Sequence, residues 1–388
     1  MEVDDLVIST ATAGLDLQRE DGSFPAGQNG PYGNEDTPAR NTSHWAITMI
    51  DAYERSGEQR FLDTARRSLK YLCSDAIRPN AYSFKHRERE YEGQDQANGL
   101  VGQAWTIEAL ATGAKHVEDE IVIDTAVEVF LAHPFDPALG LWKHVDIDGS
   151  VQGYHMTFNQ HLWFAAAGSL LASTMSERNH TETDAVQNRV RQFMANVKRN
   201  IHTFPSGLII HPMLPAFRRR DAASSLEYQR QAFNKWKRIA FFKTVNAIKD
   251  RTLRNIVEKS RPYHPFNLYA LAILYRQNDG FDFWESNTFE KVLGYSKRPS
   301  LIDAVSQNKY GYDYNPVGFE LGVAWATFDG RATKRSDEAV ASQLQNSYDP
   351  EASLMKRSEC DPETHMARFY EVTRYPGTRL EVTSLEFD

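Results

Sequence analysis

Apolar and polar positions come in long blocks along the chain, and one kind of block recurs. A polar loop containing Gly, Asn or His runs directly into an Ala-rich apolar helix with an aromatic residue in its first two turns. Six copies are present: Ser43 to Ile47, Asn98 to Trp105, Asn159 to Ala165, His264 to Tyr269, Gly318 to Trp325 and Thr364 to Tyr370. Trp45, Trp105 and Trp163 are 60 and 58 residues apart and Tyr269 and Trp325 are 56 apart; only the 106 residues from Trp163 to Tyr269 break the interval. Between the copies, Arg60 to Leu72, Ile121 to Ala132 and Asp184 to Val197 carry charge on one face and aliphatics on the other. An interval of about 60 residues holds two helices and two loops, and helices that are apolar nearly all round must be enclosed by others. The pattern predicts an all-α protein: a single (α/α)6 toroid over residues 1–388, six inner helices ringed by six outer ones. An irregular all-α bundle or a helical-hairpin solenoid is the alternative, and a solenoid favours shorter repeats of roughly 34 to 47 residues.

The long interval is read as a basic helical insertion over residues 205–262. From Phe217 to Arg261 it carries thirteen Lys or Arg against four Asp or Glu, on a chain of net charge -8. Around Phe233, Trp236, Ile239, Ala240, Phe241 and Phe242 the pattern is that of a basic amphipathic helix. Such a helix docks on a membrane surface, a lipid-linked anion or an acidic protein, or packs its apolar face on the barrel and leaves its cations solvated.

The molecule as a whole, with 52 acidic and 44 basic residues, does not favour nucleic acid. Two cysteines, Cys73 and Cys360, are too few for a disulfide framework, and the acidic start Met1 to Asp5 lacks the form of a secretory signal, so a cytoplasmic address is expected. No window approaches the roughly 18 apolar residues of a membrane span. Zinc, calcium, phosphate-loop and dinucleotide patterns are missing, so neither a metal nor a cofactor is expected.

In a toroid of this connectivity the loops leading into the inner helices open at one end. Helix N-termini, with their unpaired N–H groups and partial positive charge, then converge on one cavity suited to an anion. Asp95 stands four residues before Gly99, and His155 four before Asn159; these two are the expected proton-handling residues. His44, Gln96, Tyr154, Asn159, His161, Tyr312, Asp313 and Arg368 are expected to bind substrate, because aromatic platforms beside hydrogen-bonding groups suit a sugar ring. Asp95 serves equally well as a helix cap, His44 and His161 as packed histidines, and Asp313 as a turn residue.

The run Gly93-Gln94-Asp95-Gln96-Ala97-Asn98-Gly99-Leu100-Val101-Gly102-Gln103-Ala104-Trp105, together with the six-helix periodicity, resembles the unsaturated glucuronyl and rhamnogalacturonyl hydrolases. Over nearly its full length the chain more closely resembles the AglQ-type proteins of archaeal Agl glycosylation clusters, including Gly153 to Asn159 and the ending Arg368-Phe369-Tyr370-Glu371-Val372-Thr373-Arg374-Tyr375-Pro376. The resemblance implies a glycoside-hydrolase-like toroid handling a uronic-acid-containing oligosaccharide, free or lipid-linked. In the uronyl hydrolases two aspartates sit at the starts of the second and third inner helices, one of them a general acid/base. Asp95 matches the first; at the second, alignment on the Asn-x-x-Leu-aromatic pattern places His155, with no carboxylate in register. That departure leaves hydrolysis, elimination and epimerisation open, the last two by abstraction of the proton alpha to the uronate carboxylate. A non-catalytic glycan-binding assembly protein is the alternative from another class.

Overall fold

The computed structural model describes residues 1–213, 226–234, 246–358 and 360–380. In chain order its helices are α1 (Val3–Leu15), α2 (Ala39–Ser56), α3 (Gln59–Leu72), α4 (Gly99–Gly113), α5 (Glu120–Ala132), α6 (Phe158–Glu177) and α7 (Thr183–Asn200). Then follow α8 (residues 226–234), α9 (Asn246–Gln277), α10 (Asn287–Ser296), α11 (Pro299–Ser306), α12 (Val317–Phe328), α13 (Lys334–Ser347) and α14 (Pro362–Ala367). A tighter 3-10 helix over Arg368–Arg374 continues α14.

The apolar blocks form a closed inner ring. Helices α2, α4, α6, α9 and α12 each pack on the next, and α14 with its 3-10 extension fills the gap between α12 and α2. On the outside, α3, α5, α7, α10 and α13 each cover the inner helix that precedes them, and α1 packs on α2 and α3. Helix α4 shows why the inner position is obligatory: every residue from Gly99 to Ala111 is buried. Helix α3 is one-sided, burying Phe61, Leu62, Ala65, Leu69 and Leu72 while Arg60, Asp63, Arg66, Arg67 and Lys70 face solvent. The fold is the (α/α)6 toroid.

Two sets of contacts tie the sixth sector to the rest. Near the chain ends, Val3 N–H donates to the Thr378 carbonyl at 3.0 Å and Leu380 N–H to the Met1 carbonyl at 2.9 Å. Inside the ring, three residues per turn bring Arg368, Glu371 and Arg374 onto one edge of the 3-10 helix. Arg368 donates from Nε and Nη2 to Glu371 Oε1 (2.9 and 2.5 Å), from Nη2 to Glu320 Oε1 on α12 (2.9 Å), and from Nη1 to the Tyr314 carbonyl (3.1 Å) and Asn315 Oδ1 (2.6 Å). Its five N–H groups are all used. Arg374 pairs with Glu108 of α4 at 2.7 Å and donates to the Tyr269 hydroxyl on α9 at 3.1 Å.

The structure departs from the sequence reading in two places. The loop before α6 folds into a three-stranded antiparallel sheet, β1 (Phe135–Asp136), β2 (Leu141–Val145) and β3 (Val151–Tyr154), in the order β1-β2-β3. Asp148-Gly149, with Gly149 at φ 83°, lies in the β2–β3 connection where Gly is favoured. In addition, α9 runs unbroken from Asn246 to Gln277 through Pro262 and Pro265. The end of the expected insertion is therefore the first half of the fourth inner helix.

Helix α8 packs on the hairpin. Lys143 pairs with Glu227 at 2.6 Å, Gln231 Oε1 accepts from the Tyr154 N–H at 3.1 Å, and Tyr228 sits edge-on to Tyr154 at 6.0 Å. Phe233 is exposed, and the remainder of the basic amphipathic stretch, Trp236 to Phe242, lies outside the described residues. Among the described residues no helix is long and apolar enough to cross a membrane.

Replacing Arg368 by Met is expected to destabilise the protein by about 3–5 kcal/mol, because Glu320 and Glu371 stay buried without their counter-charge. Burial pushes the Glu371 carboxyl up to about 7 and raises that of Glu320. Without the arginine both acids can take up protons, so urea denaturation of Arg368→Met should show a smaller loss at about pH 5 than at about pH 8.

Candidate functional site

A cavity of about 220 Å³ opens where the incoming loops meet. The first sector contributes Asn29, Tyr32 and Arg40, the second Arg87, Asp95, Asn98, Val101 and Trp105, and the third His155, Thr157, Asn159 and Gln160. The fourth supplies His211, Lys259, Tyr263 and Phe266, the fifth Tyr314 and Asn315, and the sixth Arg368. Ordinary small-molecule clefts run from roughly 300 to 1,000 Å³, so this one suits a single sugar unit.

Asp95 and His155 meet at Gly99. Asn98 and Gly99 both have left-handed backbone, φ 56° and 59°. A Cβ on Gly99 would lie 2.6 Å from Gln160 Oε1 and 3.0 Å from His155 Cδ2, so the position needs glycine for both conformation and space. Asp95 Oδ2 accepts the Gly99 N–H at 2.6 Å and Oδ1 accepts the Ala97 N–H at 2.9 Å, which fixes the carboxylate at the start of α4. His144 Nε2 lies 3.8 Å from Asp95 Oδ2, and its ring is 6.0 Å from that of His155.

His155 is held from two sides. Its Nδ1 is 2.9 Å from Thr157 Oγ1, and its carbonyl accepts from His161 Nε2 at 2.8 Å. His161 Nδ1 accepts the Trp142 N–H at 3.4 Å, so the His161 proton sits on Nε2. Burial pushes the His161 pKa down to about 4, which keeps it neutral beneath His155.

The cavity cations differ in what they have left to offer. Arg368 has spent every donor on the protein. Arg40, 1% exposed, lies 4.3 Å over Trp105 and donates from Nη1 to Asn29 Oδ1 at 3.2 Å. Its Nε and Nη2 have no hydrogen-bond partner among the described residues, nor does Arg87 Nε. Asp36 Oδ2 is 3.7 Å from Arg40 Nη1. Burial pushes the Asp36 carboxyl up to about 7, against the pull of Arg40 and Arg87.

Of the ten residues expected at the site, Asp95, His155, Asn159 and Arg368 line the cavity. The other six do not. His44 is buried behind the wall, stacked on Tyr370 at 4.3 Å and edge-on to Trp105 at 5.5 Å, with burial holding its pKa far below the usual range. His161 lies under His155, as described. Gln96 donates to the Arg87 carbonyl at 3.4 Å, the Tyr154 hydroxyl donates to Asp136 at 2.9 Å, and the Tyr312 hydroxyl accepts from Ser342 at 3.3 Å. Asp313 is exposed.

Arg40, Arg87 and Tyr314 stand in the entry loops but were given no role at the site by sequence reasoning, which missed His211, Lys259 and Tyr263 as cavity residues. A signal existed for Arg40: it stands four residues before His44, the offset that separates Asp95 from Gly99 and His155 from Asn159. Among the described residues no group of three or more His, Cys, Asp or Glu is placed to hold a metal.

No family model matches the chain. It is 40% identical over 370 residues to archaeal glycosylation protein Q of Haloferax volcanii, covering 95% of this chain and 96% of that protein. Among solved structures, cellobiose 2-epimerase from Bacillus thermoamylovorans superposes with a TM-score of 0.60 at 10% identity, over 94% of this chain and 95% of the other. An unsaturated glucuronyl hydrolase specific for heparin superposes with a TM-score of 0.57 at 15% identity, over 96% and 97%. The chain is thus related to an archaeal glycosylation protein and shares its fold with glycan-processing enzymes.

Gly99→Ala is expected to cost about 1–2 kcal/mol from the left-handed backbone alone and to displace Gln160 and His155 as well. Gly93, at φ 78° with no atom within 4 Å of where a Cβ would stand, provides the control. Thermal melts should fall for both Gly99→Ala and Gly93→Ala, while the His155 imidazole resonances should move only in the first.

Proposed function

Because this chain belongs to the archaeal glycosylation protein Q family, and its cavity sets Arg40, Arg87, Lys259 and Arg368 against one carboxylate, Asp95, we propose that it is an enzyme acting on a uronic-acid-containing oligosaccharide. The reaction is proton transfer beside the sugar carboxylate. Arg40 carries this reading: a buried guanidinium with two partnerless nitrogens on one edge is a bidentate seat for a carboxylate. Trp105, Tyr263, Phe266 and Tyr314 offer faces for the C–H side of a sugar ring, and Asn98, Asn159 and Gln160 offer amides for its hydroxyls.

With the carboxylate on Arg40, His155 removes the proton from the neighbouring C5. The C–H electron pair moves toward the carboxylate, and Arg40 stabilises the enolate-like anion. A proton returned to the opposite face inverts C5; loss of the C4 substituent instead leaves a double bond between C4 and C5. Asp95, on the same wall, is the second proton-handling group. Hydrolysis by a carboxylate pair has less support, since Asp95 is the one Asp or Glu lining the cavity among the described residues. The substrate is read as a free or lipid-linked glycan met in the cytoplasm, where the free cysteines Cys73 and Cys360 stay reduced.

One observation favours a second reading. Both oxygens of Asp95 already accept backbone N–H groups, as a helix cap would. A glycan-binding assembly protein without turnover fits the same cavity.

Incubation with defined uronate oligosaccharides in deuterium oxide tests both. Deuterium at C5 without cleavage marks epimerisation, and new ultraviolet absorbance marks elimination. New reducing ends without either overturn the proton-transfer reading, and no change of any kind supports the binding protein. His155→Ala is expected to slow exchange by roughly 10²–10⁴-fold while ligand affinity is kept. Arg40→Met should weaken uronate binding by at least about tenfold, or about 1.4 kcal/mol.

Affinity should also fall as pH rises through about 7, the value to which burial raises the Asp36 carboxyl. Below that pH Asp36 is neutral and leaves the Arg40 charge to the ligand; above it the carboxylate, 3.7 Å from Nη1, competes for Arg40 and repels a bound uronate. Calorimetric titration of glucuronate across this range checks the slope, and Asp36→Asn should flatten it.

A further inference from the structure

Lys259, one of the cations lining the cavity, and Lys309 beyond it take no step in the chemistry above. Lys259, half-buried on α9, holds its Nζ 5.0 Å from the Tyr32 ring and 5.8 Å from the Tyr310 ring. Lys309, exposed on the loop before α12, reaches the Tyr310 ring at 5.0 Å. The Tyr32 and Tyr310 rings are 5.3 Å apart, and the Tyr32 hydroxyl bonds that of Tyr263 at 2.6 Å, so the aromatic wall is continuous from the cavity to Lys309. Neither lysine has a carboxylate within ion-pair distance among the described residues; the nearby Glu258 is paired with Arg261 at 2.7 Å. Arg87 lines the same cavity with its buried Nε unpartnered. Burial and the neighbouring Lys309 both push the Lys259 pKa down, the effect expected of an ammonium facing another without an anion between them.

We propose that Lys259 and Lys309, over the Tyr32 and Tyr310 rings, form a second anion subsite that takes an acidic group next to the sugar held in the cavity. The inference rests on the uronate reading of that cavity and deepens it: the substrate carries two negative groups, one inside and one at the mouth. A cavity sized for one sugar unit leaves whatever is attached to that sugar at this rim. The acidic group is a phosphoryl ester on the sugar or the carboxylate of a second uronate. Both present oxygens that two ammoniums can share, and the aromatic faces keep those ammoniums in place without neutralising them.

Calorimetry on the full chain tests this with glucuronate, glucuronic acid 1-phosphate and a diuronate disaccharide as probes. At least one of the two ligands with a second acidic group is expected to bind ten or more times tighter than glucuronate, and the one that gains identifies the source of the second charge. In Lys259→Met/Lys309→Met that advantage should shrink to below about threefold. Lys309→Met alone, at an exposed position, should remove part of it without risk to folding. If neither ligand with a second acidic group binds tighter than glucuronate, or the advantage survives in the double variant, the subsite is overturned and the cavity reading stands. If glucuronate itself does not bind, or binds equally well to Arg40→Met, both are overturned.

Discussion

Much of this structure depends on one buried guanidinium. Arg368 lies where the inner ring must close, on a short 3-10 segment that also buries Phe369, Tyr370 and Val372, and it joins that segment to α12 and to the loop before it. Burying a guanidinium is costly unless its donors and charge are matched, and Arg368 meets both conditions through Glu320, Glu371, Asn315 and the Tyr314 carbonyl. Two glutamates around one arginine would leave an excess negative charge, and burial raises both carboxyls, Glu371 to about 7. Part of that excess is relieved by proton binding. Closure and electrostatics are thus a single problem with a single solution.

That solution also decides which cation can serve a ligand. Arg368 reaches the cavity with no donor to spare, whereas Arg40 stands on a regular helix, rests on Trp105, and makes one hydrogen bond with Nη1. Its Nε and Nη2 are buried without a hydrogen-bond partner among the described residues. On the opposite side of the cavity the demand is for close approach, and Gly99 supplies it by letting α4 begin against His155 and Gln160. The small sheet matters for the same reason: β3 ends at Tyr154, so His155 leaves a hydrogen-bonded strand and is then fixed through its carbonyl by a neutral His161.

The ring was legible in the sequence because its cause is periodic. Inner helices must be apolar on every side and outer ones on one side only, so the blocks around Trp45, Trp105 and Trp163 and the one-sided α3 announce their places without any knowledge of contacts. The cavity was only partly legible. Position just before an inner helix tells how near a residue lies to the rim, and that much placed Asp95, His155 and Asn159. It does not tell which way a side chain turns. Tyr154 and Tyr312 stand in the right loops but spend their hydroxyls on Asp136 and Ser342, and His44 turns toward Tyr370. The burial of Arg40 follows from partners far away in sequence, such as Trp105 and Tyr314. Lys259 was read as part of a separate insertion, whereas the helix carrying it continues through two prolines into the ring.

Buried polar atoms are normally paired, so the unpaired ones need a reason. At the cavity they include Arg40 Nε and Nη2, Arg87 Nε and Asn159 Oδ1, with both oxygens of Asp36 close behind. The same fold pairs Arg368 completely and seats Arg374 on Glu108, so it is able to satisfy a buried guanidinium where closure requires it. Leaving Arg40 half-satisfied a few residues from Trp45 therefore costs stability without serving the ring. Such a group is retained when something from outside completes it, and the donors left open on Arg40 match a carboxylate. Raised toward 7, Asp36 lets the neighbouring guanidinium keep its charge without a fixed counter-ion. Other buried atoms without a hydrogen-bond partner among the described residues, such as the ring nitrogens of His44 and His365, lie away from the cavity; those on Arg40 are the ones that an acidic sugar, bound as proposed, would complete.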